Sequence, residues 1–217
     1  MIFEQLFDQK SSTYTYIIAS GEGREALIID PVIEHSDEYS TILKNLDLKL
    51  VKVIDTHIHA DHISALNELN KRTNCIRVMG EKSKSEVIDL RIKDGEKINV
   101  EEVELQAIYT PGHTDCSYSF LMNDRVFTGD TLLINGSGRT DFQNGNAYDA
   151  YDSIFNKLLK LPEKTFVFPA HDYNGKKFST IENEKNKNPR LQVSSKEEYA
   201  DIMNNLNLAN PKMMDVA

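Results

Sequence analysis

The chain of 217 residues has no apolar run approaching the roughly 20 residues that a membrane-crossing helix needs, so it reads as a soluble protein. It has only two cysteines, Cys75 and Cys116, with no CxxC spacing between them, which excludes a disulfide framework and leaves each as a buried or inert thiol. No stretch is rich enough in Pro, Gly or Ser to act as an interdomain linker, and a single domain over residues 1–217 is expected. Basic residues are in deficit: 25 Lys and Arg face 34 Asp and Glu, a formal net charge of -9, with no cluster of cations. A nucleic-acid partner is thereby excluded, because phosphate contacts need such a cluster. The first eight residues carry Glu4 and Asp8 but no Lys or Arg, so neither a secretory leader nor an Arg-rich transit peptide is legible and a cytoplasmic location is expected.

What the chain does contain is a dense group of potential metal ligands, Thr56-His57-Ile58-His59-Ala60-Asp61-His62, directly after the apolar run 51–54. Three of the six histidines lie in these seven residues; the others are His35, His113 in Thr110-Pro-Gly-His, and His171 in Pro169-Ala-His-Asp172. Neutral imidazole and carboxylate are the ligands shared by iron, zinc and manganese, so the cluster points to a metal site rather than to an exposed polar loop.

The surrounding pattern is α/β. Residues 13–19 and 25–30 read as a hairpin, 35–46 as a helix capped by Ser36, 50–54 as a short buried strand, 63–71 as a helix and 75–79 as a strand. The segment 81–94 is charged and rich in turn formers. Strands follow at 103–109, 118–122, 125–129 and 165–168, with an amphipathic helix at 148–161. Two tail helices are expected at 180–186 and 196–205, the second opened by a capping box between Ser195 and Glu198. Four strand ends thus deliver His57 to His62, His113, Asp130 and His171, which is where sites form in α/β proteins.

Two chemistries fit those ligands. A binuclear hydrolase would place His57, His59 and His113 on one metal and Asp61, His62 and His171 on another, with Asp130 bridging and a metal-bound hydroxide as nucleophile; spacing alone favours this. The alternative is one iron held by two histidines and a carboxylate, with positions open for substrate and dioxygen.

The set THIHADH, PGHT, TGD and PAHD resembles the metallo-β-lactamase fold superfamily, which implies a four-layer αββα sandwich with the metal along one edge. The stretches Gly136-Ser-Gly-Arg139-Thr-Asp141-Phe-Gln-Asn-Gly145, Pro169-Ala-His-Asp-Tyr173-Asn-Gly175 and Asn188-Pro-Arg190-Leu, with Asn204-Asn-Leu-Asn-Leu, are similar to its persulfide dioxygenase (ETHE1-like) branch over almost the whole chain. That resemblance implies oxidation of glutathione persulfide, or of a related low-molecular-weight thiol persulfide, by O2 and water to sulfite and the free thiol at one non-haem Fe(II). It assigns His57, His113 and Asp130 as the iron ligands and makes His59, Asp61, His62 and His171 supporting groups or ligands of an alternative second metal. The anionic substrate needs cations. Arg139 is the leading candidate, with an ion pair to Asp141 as its competing role, and Tyr173 and Arg190 follow. The runner-up is a glyoxalase II-like hydroxyacylglutathione hydrolase with two zinc ions or mixed metals. The tail 176–217 is expected to be helical and packed on the domain, and its lack of cysteine argues against a rhodanese domain. A homodimer is the default assembly.

Overall fold

The computed structural model describes residues 1–206 and 208. The first half of the chain forms one mixed sheet of strands β1 (Ile2–Asp8), β2 (Thr13–Ala19), β3 (Glu25–Ile29), β4 (Lys49–Ile54), β5 (Ile76–Gly80) and β6 (Leu90–Ile92), in that spatial order. β1, β2 and β3 run antiparallel, whereas β3 to β6 are parallel. The second half forms a sheet in the order β14-β13-β10-β9-β8-β7, from β7 (Lys97–Val100), β8 (Val103–Tyr109), β9 (Tyr118–Met122), β10 (Arg125–Gly129), β13 (Phe166–Pro169) and β14 (Ser179–Thr180). A two-stranded ribbon, β11 (Leu132–Leu133) with β12 (Gly136–Ser137), lies beside it.

Three hydrophobic layers account for the architecture, because each sheet face and helix stripe has to find an apolar partner. Between the sheets lie Tyr16, Ile18, Leu27, Ile29 and Ile54 from one and Leu105, Phe120, Phe127 and Phe168 from the other. The outer face of the first sheet meets α1 (Ser36–Asn45) and α2 (Leu66–Thr73) through Ile17, Ile28, Val53, Tyr39, Leu43 and Leu69. The outer face of the second sheet meets α3 (Ala147–Tyr151), α4 (Ile181–Lys187) and α5 (Lys196–Asn204) through Val126, Val167, Ala150, Ile181, Tyr199 and Met203. This is the αββα sandwich that the motifs imply. No described helix is long and apolar enough to cross a membrane.

Several local readings change. β1, β6 and β7 were not legible: β1 is an edge strand whose seven residues are specified by pairing with β2, and β6 and β7 are edge strands of three and four residues in charged surroundings. The expected helix 148–161 is divided into α3, a π-helical turn Asp152–Lys157 and a 3-10 turn Leu158–Lys160. Its apolar spacing suits all three, so periodicity could not separate them. Ser36 is the first helical residue rather than the cap, and its hydroxyl donates to the Ile33 carbonyl at 2.6 Å. Ser195 does cap α5, accepting from Glu198 N at 3.1 Å, but the Glu198 carboxylate returns to Ser194 N at 2.7 Å rather than to Ser195. Residues 207 and 209–217 of the expected tail lie outside the described residues.

The start of α1 is tied to the end of β1 by His35, whose Nε2 lies 3.0 Å from Asp8 Oδ1 and whose Nδ1 lies 2.8 Å from Glu38 Oε2. Burial disfavours the Asp8 carboxylate, but hydrogen bonds from Ser11 and His35 outweigh it and bring its pKa down to about 2. Burial likewise works against charge on His35, yet Asp8 and Glu38 raise its pKa above the ordinary 6.5. A raised imidazole stabilises the fold below its unfolded pKa and loses that contribution as pH rises through the folded value. A depressed carboxylate contributes above its unfolded pKa and loses it as pH falls toward the folded one. His35→Ala should therefore cost about 1 kcal/mol in urea unfolding at about pH 5.5 and less at about pH 9. An equal cost at both pH values would show that the ion pair contributes nothing.

Candidate metal centre and substrate cavity

The four ligand-bearing segments leave β4, β8, β10 and β13 at one edge of the sandwich, where backbone hydrogen bonds stitch the two sheets together. Tyr118 N donates to the Thr56 carbonyl at 2.9 Å and Tyr14 N to Ala170 O at 2.7 Å, while within the second sheet Ala170 N donates to Gly129 O at 2.9 Å. The stitching brings His57, His113 and Asp130 together with one potential ligand atom from each lying within 4.8 Å of the others. His59, Asp61 and His62 form a second such group, as do Asp30, Asp55 and His59.

The imidazoles of the first group are held so that one nitrogen of each is free to bind a cation. His113 Nδ1 donates to the Arg139 carbonyl at 2.8 Å, which fixes its proton there and turns the Nε2 lone pair toward Asp130 Oδ2 at 3.6 Å. His57 is set by a relay. The Thr56 hydroxyl gives its proton to Asp30 Oδ2 at 2.9 Å, so its oxygen accepts from His57 Nδ1 at 2.9 Å and leaves Nε2 as the lone pair. Burial and the neighbouring His59 and His113 hold the His57 pKa well below 6.5, in the neutral form that a metal takes. Glycine is required beside both ligands: a Cβ on Gly129, at φ +53, would lie 2.7 Å from Thr56 Oγ1, and one on Gly138 would lie 2.1 Å from the Asp130 carbonyl.

His171 is occupied on both sides. Its Nδ1 lies 2.6 Å from Asp130 Oδ1 and its Nε2 lies 2.8 Å from Asp61 Oδ2. Burial opposes its protonation, but the two carboxylates outweigh burial and raise its pKa well above 6.5. Both carboxylates are in turn held ionised against burial, Asp61 by His171 and His62 and Asp130 by His171 and His113. The remaining nitrogens tell a different story. His59 donates through Nε2 to Asp30 at 3.2 Å and His62 through Nδ1 to Asp61 at 3.0 Å, leaving His59 Nδ1 and His62 Nε2 buried without a hydrogen-bond partner.

A cavity of about 590 Å³ opens over Asp130 and His113 and is lined by Lys10, Arg139, Tyr173 and Arg190 among others. It is large enough for a tripeptide-sized ligand. Tyr173 is 71% exposed and its ring lies parallel to that of His171, at 6.1 Å between centroids. Arg139 reaches the wall but is gripped by Asp141 through two bonds of 2.7 and 2.8 Å, the local pairing weighed against its substrate role. Arg190 forms no ion pair among the described residues; its guanidinium donates to the Ser137 carbonyl, and burial lowers its pKa.

Asp30 and Thr56 were not read as functional from sequence. The available signal was an acidic residue ending β3, but its neighbour becomes β4 only through the parallel register Ile29 to Ile54. Thr56→Val keeps the shape and removes the relay. It should weaken metal binding about 10–100-fold in a metal titration while leaving the fold intact, whereas an unchanged affinity would mean that His57 needs no such support.

The metallo-beta-lactamase superfamily model matches residues 9–89 and 80–171. The mouse protein named persulfide dioxygenase ETHE1, mitochondrial, is 42% identical over 100% of this chain and 86% of its own length. The crystal structure of ETHE1 from Myxococcus xanthus superposes with a TM-score of 0.97 at 48% identity, covering 100% of this chain and 96% of that one. A hydroxyacylglutathione hydrolase from Dictyostelium discoideum is more distant, at 29% identity over 82% of this chain and 69% of its own. The chain belongs to the metallo-beta-lactamase superfamily and, within it, to the ETHE1-like persulfide dioxygenase branch.

Proposed function

We propose that this enzyme oxidises a low-molecular-weight thiol persulfide, glutathione persulfide first among them, with O2 and water to sulfite and the free thiol. The atoms balance: the outer sulfur leaves the S–S bond as sulfite with three oxygens, two from O2 and one from water, giving four electrons to O2, while the inner sulfur takes up a proton as the thiol and two protons are released. His57, His113 and Asp130 would hold one Fe(II), which when bound supplies open positions for the persulfide sulfur and dioxygen. The donor set fits: two imidazoles, each anchored through Nδ1 so that Nε2 is the free nitrogen, and one carboxylate, with potential ligand atoms within 4.8 Å of one another. Arg190, which sequence ranked behind Arg139, is the better-placed cation for a substrate carboxylate because Asp141 already occupies Arg139. Tyr173 and Arg139 would complete the walls beside it. The cytoplasm is the proposed location and a homodimer the proposed assembly.

The observation that carries a single-metal reading is the engagement of both His171 nitrogens by carboxylates, which leaves that residue no lone pair for a second metal. The two unpartnered nitrogens, His59 Nδ1 and His62 Nε2, favour the runner-up, a binuclear thioester hydrolase acting on an acylglutathione. Protein reconstituted anaerobically with iron should consume oxygen with glutathione persulfide and form sulfite, and protein loaded with zinc should not. Zinc-dependent hydrolysis of S-lactoylglutathione without oxygen uptake would reverse the assignment.

A further inference from the structure

The cavity wall between the metal centre and Arg190 is built from the turn of the β11–β12 ribbon, and a single stretch of the tail grips three successive residues of it. Glu184, fully buried on α4, accepts from Asn135 N through Oε2 at 2.8 Å. The same oxygen accepts from Asn188 Nδ2 at 2.8 Å, and Asn188 Nδ2 donates also to the Gly136 carbonyl at 2.9 Å. Arg190 donates to the next carbonyl, that of Ser137. Asn188 Oδ1 meanwhile accepts from Arg190 N at 3.0 Å, capping the 3-10 turn Pro189–Leu191 that carries the arginine. The gripped strand continues into the centre: Gly138 N donates to the Asp130 carbonyl at 2.8 Å, and the Arg139 carbonyl accepts from His113. A fully buried carboxyl group is costly unless hydrogen bonds satisfy it, and here one comes from the wall of the cavity at Asn135 and one from Asn188.

We propose that Glu184 is a positioning residue: through Asn188 and the backbone of residues 135–137 it fixes the Arg190 guanidinium in the cavity to receive the carboxylate of the thiol substrate. This rests on the thiol persulfide reading of the same cavity. It adds that affinity for the thiol portion is set by a helix that contributes nothing to the metal centre itself.

The test uses the full iron-loaded chain, with glutathione binding measured by calorimetry beside the KM and kcat for glutathione persulfide. Glu184→Ala should raise both the glutathione Kd and the KM about tenfold with kcat changed less than about twofold, the effect of losing hydrogen bonds to a charged group that acts on binding. Glu184→Gln should recover most of the loss, since its amide oxygen can accept from Asn135 and Asn188. Asn188→Ser, which can still cap the turn but cannot reach Gly136, should reproduce the loss even where Glu184→Ala fails to fold. In an Arg190→Ala background the effect of Asn188→Ser should vanish. A lowered Tm with unchanged Kd and KM, or additive effects in the double variant, would overturn the proposal. A wild-type chain that binds no glutathione overturns it too. Wild-type protein that binds glutathione, shows these binding shifts and consumes no oxygen would uphold the positioning role and remove the dioxygenase reading alone.

Discussion

The two contacts of His171 are the constraint on which the chemistry of the site depends. An imidazole has two nitrogens, and here one meets Asp130 and the other Asp61 at hydrogen-bond distance, two carboxylates that favour the charged form of the ring. That arrangement occupies both nitrogens of His171 and holds Asp130 by one oxygen, while its other oxygen faces His113. His57, His113 and Asp130 form one compact group of potential ligands, and His59, Asp61 and His62 of the same motif form another beside it. Thr13 adds to the supporting side, its hydroxyl 3.0 Å from His171 Nε2.

The trio is held from outside as firmly as from within. Asp30 accepts from Thr56 N at 2.7 Å, from its hydroxyl and from His59, so a single carboxylate at the end of β3 orders both the backbone and the tautomers of the motif that follows β4. The inter-sheet hydrogen bonds from Tyr118 to Thr56 and from Tyr14 to Ala170 keep the two sheets in register at this edge. Rigid placement of ligands on strand ends lets an open site keep its geometry while reactants come and go. The cavity is then completed from the tail by the turn carrying Arg190, while α4 braces the β11–β12 ribbon through Glu184, so the tail belongs to the site as well as to the outer layer of the sandwich.

How much of this was legible in sequence follows from how local each signal is. His57, His113, Asp130 and His171 stand out because each follows an apolar run within a few residues, and the strands that carry them formed as their patterns imply. The pairing of Arg139 with Asp141 was foreseeable for the same reason, two residues apart in one loop. Asp30 and Glu184 were not. The role of the first depends on β3 lying beside β4, and that of the second on α4 packing against a ribbon some fifty positions earlier in the chain; only tertiary structure creates either adjacency. The edge strand β1 escaped because it shows no strict alternation, its partner supplying the specification, and β6 and β7 because three and four residues are too few for a pattern to stand out.

The central claim is that the centre holds one iron rather than two, and Mössbauer spectroscopy of active protein loaded with ⁵⁷Fe, read beside its iron content, addresses it most directly. The account predicts one iron per chain and a single quadrupole doublet of high-spin Fe(II), with activity rising in proportion to that iron. Two irons per chain in the active protein, with the spectrum of a coupled pair, would contradict it.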